Sequence, residues 1–163
     1  MRLVVPGYLG TNSTKWLCRI SLQAERAPGP FTTTYYNVPV ANDKGQETGM
    51  TRPVWEMDVN SMITFPAPGA TLKRRENGRV AVRGWCWSCC HVRTVKVSVD
   101  GAEIWRMAKV DKRTKFEWQR WEIELEMRPG RCELIAGAID ERNNVQAISG
   151  TRNHCHRVAF NVV

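Results

Sequence analysis

Thiol and imidazole groups cluster at two places in the sequence. Cys86, Cys89 and Cys90 are followed at once by His91, and a His-Cys-His triplet spans residues 154–156. Thiolates and imidazoles are the usual ligands of structural zinc. A single C-x-x-C pair is a weak signal, however, and the triplet lacks a standard ligand spacing. The alternation of residues 80–86 also points Cys86 into a core, so we favour buried or incidental thiols and assign no metal ligand.

These residues also suggest a catalytic pair made of a nucleophile and a general base. Cys90 and His91 are adjacent, but neighbouring strand residues face opposite sides of a sheet, so we assign no catalytic residue. The chain holds six cysteines, and Pro6-Gly7 interrupts its apolar start. Without an export signal, reduced thiols in a cytoplasmic or organellar compartment are the expectation.

Composition and charge bound the class of protein. The 163 residues are 42% hydrophobic and 25% charged, which predicts one folded domain, alone or with a short extension. The net charge of +8 fits either a solvated basic surface or attraction of an anionic substrate, cofactor or partner. We expect no nucleic acid partner because no recognition module accompanies this charge. No apolar run reaches the roughly 18 residues of a membrane span, so we expect no membrane association.

Alternating apolar residues indicate the elements that would position these groups. Residues 80–86 and 95–99 predict two strands, which we interpret as a hairpin closed by the bend at 88–91. Asp100-Gly101 predicts a second hairpin turn, and a charged loop is expected at 109–115. Further strands are predicted at these residues: 3–5, 16–22, 59–64, 121–127, 132–138 and 158–162. Residues 25–52 read as an irregular connector pinned by aromatic side chains. Six or seven short strands with regular turns predict a mainly β, immunoglobulin-like (E-set) sandwich.

Several ordered motifs resemble the sulfite oxidase family. Arg2-Leu3-Val4-Val5-Pro6-Gly7, followed by Lys15-Trp16-Leu17, resembles the end of that family's molybdopterin-binding domain. Met57 to Pro66, then Gly84-Trp85-Cys86-Trp87-Ser88, resemble its C-terminal dimerisation domain. The following motifs match its later strands: Val97 to Gly101, Ala138-Ile139-Asp140, and Asn144-x-Gln146. The resemblance implies a remnant of the molybdopterin-binding domain with its connector at 1–56 and an immunoglobulin-like dimerisation domain at 57–163.

The resemblance also implies a cofactor and its contacts. In this family a molybdenum–molybdopterin centre oxidises sulfite or a related small oxyanion, and assimilatory nitrate reductases share the two domains. The motif positions that contact the pterin correspond to Arg2, Ser13, Thr14 and Lys15. Cationic and hydroxyl groups suit a phosphate-bearing ligand. The family's molybdenum-ligating cysteine precedes the first motif, so we transfer no metal ligand. We expect this chain alone neither to retain the cofactor nor to be active.

Departures from the family pattern suggest a truncated or decaying copy. Cys89 and Cys90 stand where the family has two glycines, and we expect strain if that bend needs positive φ. Gly137 stands where the family has arginine. The expected partners are a second copy, giving a homodimer, or a polypeptide that carries the cofactor domain. The alternative is a stand-alone β-sandwich interaction protein without redox activity, or a nitrate reductase-type fragment.

Overall fold

The computed structural model describes residues 1–41, 47–149 and 153–163. The chain forms two compact units, Met1–Glu56 and Met57–Val163, and each is described by itself. Of the described helices, none is long and apolar enough to cross a membrane.

The first unit contains little regular structure. A 3₁₀ turn spans Gly10–Asn12 and a π-helical turn spans Phe31–Tyr35. Strands β1 (Asn37–Ala41) and β2 (Glu47–Pro53) pair antiparallel. The predicted connector at 25–52 therefore contains a hairpin in its described part, while residues 42–46 of that connector lie outside the described residues.

Two strand predictions in the first unit are wrong. Residues 16–22 form no strand in the structure, although their apolar side chains alternate. Ile20 is 71% exposed and Leu22 is fully exposed, so this periodicity marks no buried face. The strand expected at 3–5 shrinks to one antiparallel bridge, which joins Arg2 to Lys15. Alternation predicts a strand only when a neighbour is available to cover one of its faces.

The second unit is a β-sandwich. Its strands are β3 (Asn60–Phe65), β4 (Thr71–Leu72), β5 (Arg79–Trp87), β6 (Val92–Ser98), β7 (Arg106–Val110), β8 (Gln119–Glu126), β9 (Gly130–Asp140) and β10 (His156–Val162). Hydrogen bonding runs in the order β3-β5-β8-β7-β6-β9-β10-β4. Strand β7 pairs first with β6 and then with β8, so it passes from one layer to the other. The mainly β, immunoglobulin-like prediction is confirmed.

The core lies between the two layers. Val82, Trp121 and Leu125 come from the β5–β8 layer, and Leu134 and Phe160 come from the β9–β10 layer. All five side chains are at most 1% exposed. The alternation predicted for 121–127 is confirmed, because Trp121 and Leu125 point inward. Burial of such large side chains contributes roughly 1.5–3 kcal/mol each.

The predicted hairpin of residues 80–101 is wrong. Strand β5 pairs with β3 and β8, whereas β6 pairs with β7 and β9. The bend at 88–91 therefore carries the chain between layers. Tight two-residue hairpins need positive φ, and neither Cys89 nor Cys90 has it, so the expected strain at these two residues is also absent.

The turn predicted at Asp100-Gly101 is confirmed. It joins the antiparallel strands β6 and β7, and Gly101 has a φ of +76°. The charged loop predicted at 109–115 begins too early, because Lys109 and Val110 still belong to β7.

Candidate functional site

The four residues expected to contact a cofactor lie in two short segments that pair with each other. The Leu3 backbone N–H donates to the Thr14 carbonyl at 2.9 Å, and the Trp16 N–H donates to the Met1 carbonyl at 2.9 Å. Arg2 and Lys15 are the bridge partners between these two bonds. The structure thus brings Arg2, Thr14 and Lys15 together at one edge of the first unit.

Ser13 is held next to this pair by the preceding 3₁₀ turn. Its backbone N–H donates to the Gly10 carbonyl at 3.0 Å, and its Oγ lies 3.5 Å from the Val5 nitrogen. The Asn12 side chain donates to the Val54 and Trp55 carbonyls at 3.3 Å each, which ties the turn to the end of the unit. The loop is therefore fixed by hydrogen bonds rather than by a packed core.

Two positive charges at this edge are open to solvent. Arg2 and Lys15 are both exposed, and neither forms an ion pair within the part of the chain that the structure describes. Lys15 Nζ lies 5.9 Å from the ring centroid of Trp16, a cation–π distance. Guanidinium, ammonium and hydroxyl donors in one small area fit the phosphate of a molybdopterin-type cofactor.

An apolar strip lies on the outer face of the β3–β5–β8 layer. We define the tryptophan strip as Met62, Trp85, Trp87 and Trp118. Met62 is the cross-strand partner of Trp85, and Trp87 follows on the same face because side chains alternate. The rings of Trp87 and Trp118 stack with centroids 4.4 Å apart. Trp85 is 40% exposed and Trp118 is 52% exposed, so the strip offers aromatic surface to a partner.

Charged side chains lie beside the tryptophan strip on the same outer face. Arg83 and Glu122 are cross-strand partners, and Arg120 forms an exposed ion pair with Glu122 at 3.4 Å. Exposed aromatic side chains next to charged ones are typical of protein–protein interfaces.

A buried carboxylate organises the bend after β5. Asp140 is fully buried and accepts hydrogen bonds from Ser88 Oγ at 3.0 Å and from the Asn144 side chain at 2.9 Å. Its other oxygen accepts from the Arg142 and Asn144 backbone N–H groups. Burial alone would raise the pKa of Asp140, but the hydrogen bonds from Asn144 and Ser88 outweigh it and hold that pKa below its usual value. The charged group therefore closes the turn after β9 and fixes the bend.

Gln146 links three segments in the same region. Its Oε1 accepts from Ser61 Oγ at 2.7 Å and from the Ala138 N–H at 3.1 Å. Its Nε2 donates to Asn60 Oδ1 at 2.7 Å and to the His154 carbonyl at 3.0 Å. The Asn144-x-Gln146 motif thus has a structural role. Ser61 and Ser88 were missed by the sequence reasoning, because only the fold shows which buried polar groups they satisfy.

The cysteines and histidines lie apart from one another or in pairs within the part of the chain that the structure describes. Among residues 1–41, 47–149 and 153–163, no three potential ligands lie close enough together to hold a metal ion. Cys86 is fully buried, and this burial raises its pKa to about 12. Its inward position, predicted from alternation, is confirmed.

Family comparison agrees with the fold and the motifs. Residues 51–161 match the family described as the Mo-co oxidoreductase dimerisation domain, and residues 1–31 match the oxidoreductase molybdopterin binding domain. Mitochondrial sulfite oxidase of Homo sapiens is 32% identical over 157 residues, covering 90% of this chain and 28% of the relative. The NADH nitrate reductase of Lotus japonicus is 27% identical, covering 99% of this chain and 21% of the relative. The chain thus spans less than a third of the length of either relative.

A solved structure gives the same result. The sulfane dehydrogenase SoxCD from Paracoccus pantotrophus is 26% identical with a TM-score of 0.69, covering 90% of this chain and 36% of that one. Since the dimerisation-domain match covers well over half of the sequence, the resemblance drawn from the motifs is confirmed. The chain belongs to the sulfite oxidase family of molybdenum oxidoreductases and carries that family's dimerisation domain.

Proposed function

We propose that this chain provides the dimerisation part of a sulfite oxidase-like oxidoreductase that acts on sulfite or a related small oxyanion. The observation that carries the proposal is the tryptophan strip on the outer face of the dimerisation domain. A two-fold dimer uses the same patch on both subunits, so an exposed aromatic strip can pack against its own copy. Interface energy is concentrated in such aromatic anchors surrounded by a polar rim.

Sedimentation velocity of the purified chain tests this self-association. We expect a concentration-dependent dimer that Trp85→Ala and Trp118→Ala each weaken by about tenfold or more, the usual cost at an interface anchor. Ile104→Ala is the matched control, because Ile104 is also exposed (60%) but lies outside the strip. A wild-type chain that stays monomeric, or variants that dimerise as well as the control, would refute the strip as the interface.

The second part of the proposal concerns the edge formed by Arg2, Ser13, Thr14 and Lys15. Their cationic and hydroxyl groups would hold the phosphate of molybdopterin, and the two exposed cations offset its negative charge. When bound, the molybdenum centre of this cofactor supplies the two-electron oxidation chemistry. The residues of this chain bind and orient the cofactor's phosphate end. They are too few to bury the cofactor by themselves.

Co-expression with a polypeptide that carries the remaining cofactor domain tests these contacts. We expect pterin, measured by fluorescence after oxidative release, in the co-purified complex and none with the chain alone. Lys15→Ala should lower the pterin content, whereas Lys112→Ala, a charge removed from a loop of the second unit, should not. A complex that forms without pterin would favour the alternative, an interaction protein without redox activity. Equal pterin content in both variants would remove Lys15 from the site.

A further inference from the structure

The six cysteines differ sharply in how accessible their sulfurs are. Cys86 and Cys155 are buried, and burial raises the pKa of each thiol. Desolvation also raises the pKa of Cys132, on β9. Cys18 is exposed, but it stands alone in sequence. All six are thiols rather than disulfides.

Two half-buried cysteines, Cys89 and Cys90, lie side by side in the bend between β5 and β6. The sulfur of each lies 3.8 Å from the same atom, Oγ of Ser88, so the two sulfurs can be no farther apart than twice that distance. Ser88 is itself anchored to the buried Asp140 carboxylate at 3.0 Å. The fold therefore holds the two thiols around one fixed hydroxyl.

The backbone of this bend is fixed on both sides. The Cys89 N–H donates to the Met57 carbonyl at 3.0 Å, and the Cys90 carbonyl accepts from the Arg113 guanidinium. The His91 carbonyl accepts from the Glu141 N–H at 2.9 Å. With the backbone held, the two sulfurs can move only by rotation about their own side-chain bonds, and partial exposure leaves room for that rotation.

A shallow groove of about 360 Å³ opens onto these thiols. Arg113 and Lys115 line it together with one carboxylate, that of Glu141. Nε of Arg113 is buried and donates no hydrogen bond within the described residues. Two cationic side chains and one carboxylate give the groove a net positive charge. This charge favours reagents that carry a negative charge.

The number of thiols at this bend indicates which class of reagent could bind there. No group of three potential metal ligands occurs in the described parts of the chain, which disfavours metals that need three or four protein donors. Two adjacent thiols instead suit a soft centre that forms two sulfur bonds. We propose that Cys89 and Cys90 form a vicinal dithiol site that captures trivalent arsenicals.

The capture step balances without any redox partner. A monosubstituted arsenoxide loses its oxygen and forms two arsenic–sulfur bonds, while the two S–H protons leave with that oxygen as one water. Arsenic stays trivalent and both sulfurs stay reduced. Because the second bond forms within one molecule, a two-thiol adduct is held on the order of 100-fold more tightly than a one-thiol adduct.

The test uses the whole chain and a carboxylated phenylarsenoxide, whose charge suits the groove. We expect one arsenical per chain by intact mass, removed by a dithiol but not by an equal concentration of a monothiol. Cys89→Ser and Cys90→Ser should each weaken capture about 100-fold. Cys132→Ser is the matched control, since Cys132 is likewise half-buried, and it should capture as the wild type does.

Two results would overturn the proposal. Retention of tight capture by Cys90→Ser would assign the site to Cys86 with Cys89, and retention by both single variants would place it elsewhere. Fragmentation of the wild-type adduct gives a measurement that does not depend on how the variants fold. It should locate arsenic on Cys89 and Cys90, and arsenic bonded to any other cysteine would contradict the site.

Discussion

Substitution of Gly84 by alanine tests how the two layers of the dimerisation domain pack. Gly84 lies on β5, where its inward face meets the indole of Trp121 and the carbonyl of Met62 on β3. A Cβ at this position would lie 2.5 Å from Cε2 of Trp121 and closer still to the Met62 oxygen. Carbon atoms normally approach to about 3.5–4.0 Å, so the overlap is about 1 Å or more.

The loss of stability in Gly84→Ala can be worked out from the groups that the new methyl displaces. The Met62 oxygen is backbone, so β3 has to separate from β5 locally, at a cost of about 1 kcal/mol for each of roughly two ladder hydrogen bonds. Displacing the fully buried Trp121 adds about 1–3 kcal/mol, the usual cost of overpacking. Alanine recovers at most about 1 kcal/mol through its lower chain entropy. The net loss is therefore about 2–4 kcal/mol.

Urea unfolding followed by tryptophan fluorescence measures this loss. We expect the Gly84→Ala midpoint to fall by about 1–2 M with little change in slope. Gly10→Ala is the matched control, because no atom lies within 4 Å of a Cβ at Gly10. A Gly84 variant whose free energy of unfolding lies within about 0.5 kcal/mol of this control would refute the packing argument.

Three further predictions concern single side chains. His156 Nδ1 accepts the Ile63 N–H at 3.1 Å, and burial followed by repulsion from His154 lowers the pKa of His156. As pH falls, His156 is therefore protonated at a higher pH in the unfolded chain than in the folded one, so stability should fall below about pH 6.5. Thermal unfolding at several pH values measures this dependence, and His156→Asn should flatten it. Gln146→Leu should cost about 2–4 kcal/mol in urea unfolding, because the Ala138 N–H and the Ser61 hydroxyl both lose their buried acceptor; a loss below about 1 kcal/mol would contradict this role. Cys86, with its pKa raised to about 12, should resist alkylation at pH 8 until urea unfolds the chain, and labelling in the native state would contradict its burial.

Alternation in the sequence predicts which face of a strand is buried better than it predicts which strands pair. It identifies the inward residues of β8 correctly, because Trp121 and Leu125 repeat with a period of two along one strand. The same alternation does not indicate which strands are hydrogen-bonded to each other. It therefore predicts a hairpin of β5 and β6, although these two strands lie in different layers. It fails at 16–22, where the apolar side chains have no covering face and Leu22 is fully exposed.

Polar residues with distant partners are the part of the site that sequence could not predict. Gln119 lies next to the exposed Trp118, yet it is 2% exposed. Its side chain accepts from the Val92 N–H at 2.8 Å and donates to the Val92 and Asp111 carbonyls at 3.0 Å. These bonds satisfy backbone groups where β6 begins, and nothing local in the sequence marks them. Likewise, family resemblance named Arg2 and Lys15, but only the structure shows that they are bridge partners.

Several residues of the second unit that match the family stabilise its fold. Gly84 makes room for Trp121, Asp140 closes a turn and fixes the bend, and Gln146 joins three segments. None of these roles requires a substrate, so agreement with the family at these positions is expected of any chain that keeps the sandwich, active or not. Oxidoreductase activity therefore has to be judged by the cationic edge at Arg2 and Lys15 and by whether a complex built on it holds pterin. The proposed dimerisation rests on the tryptophan strip instead, so we expect substitutions to remove the two proposed functions independently.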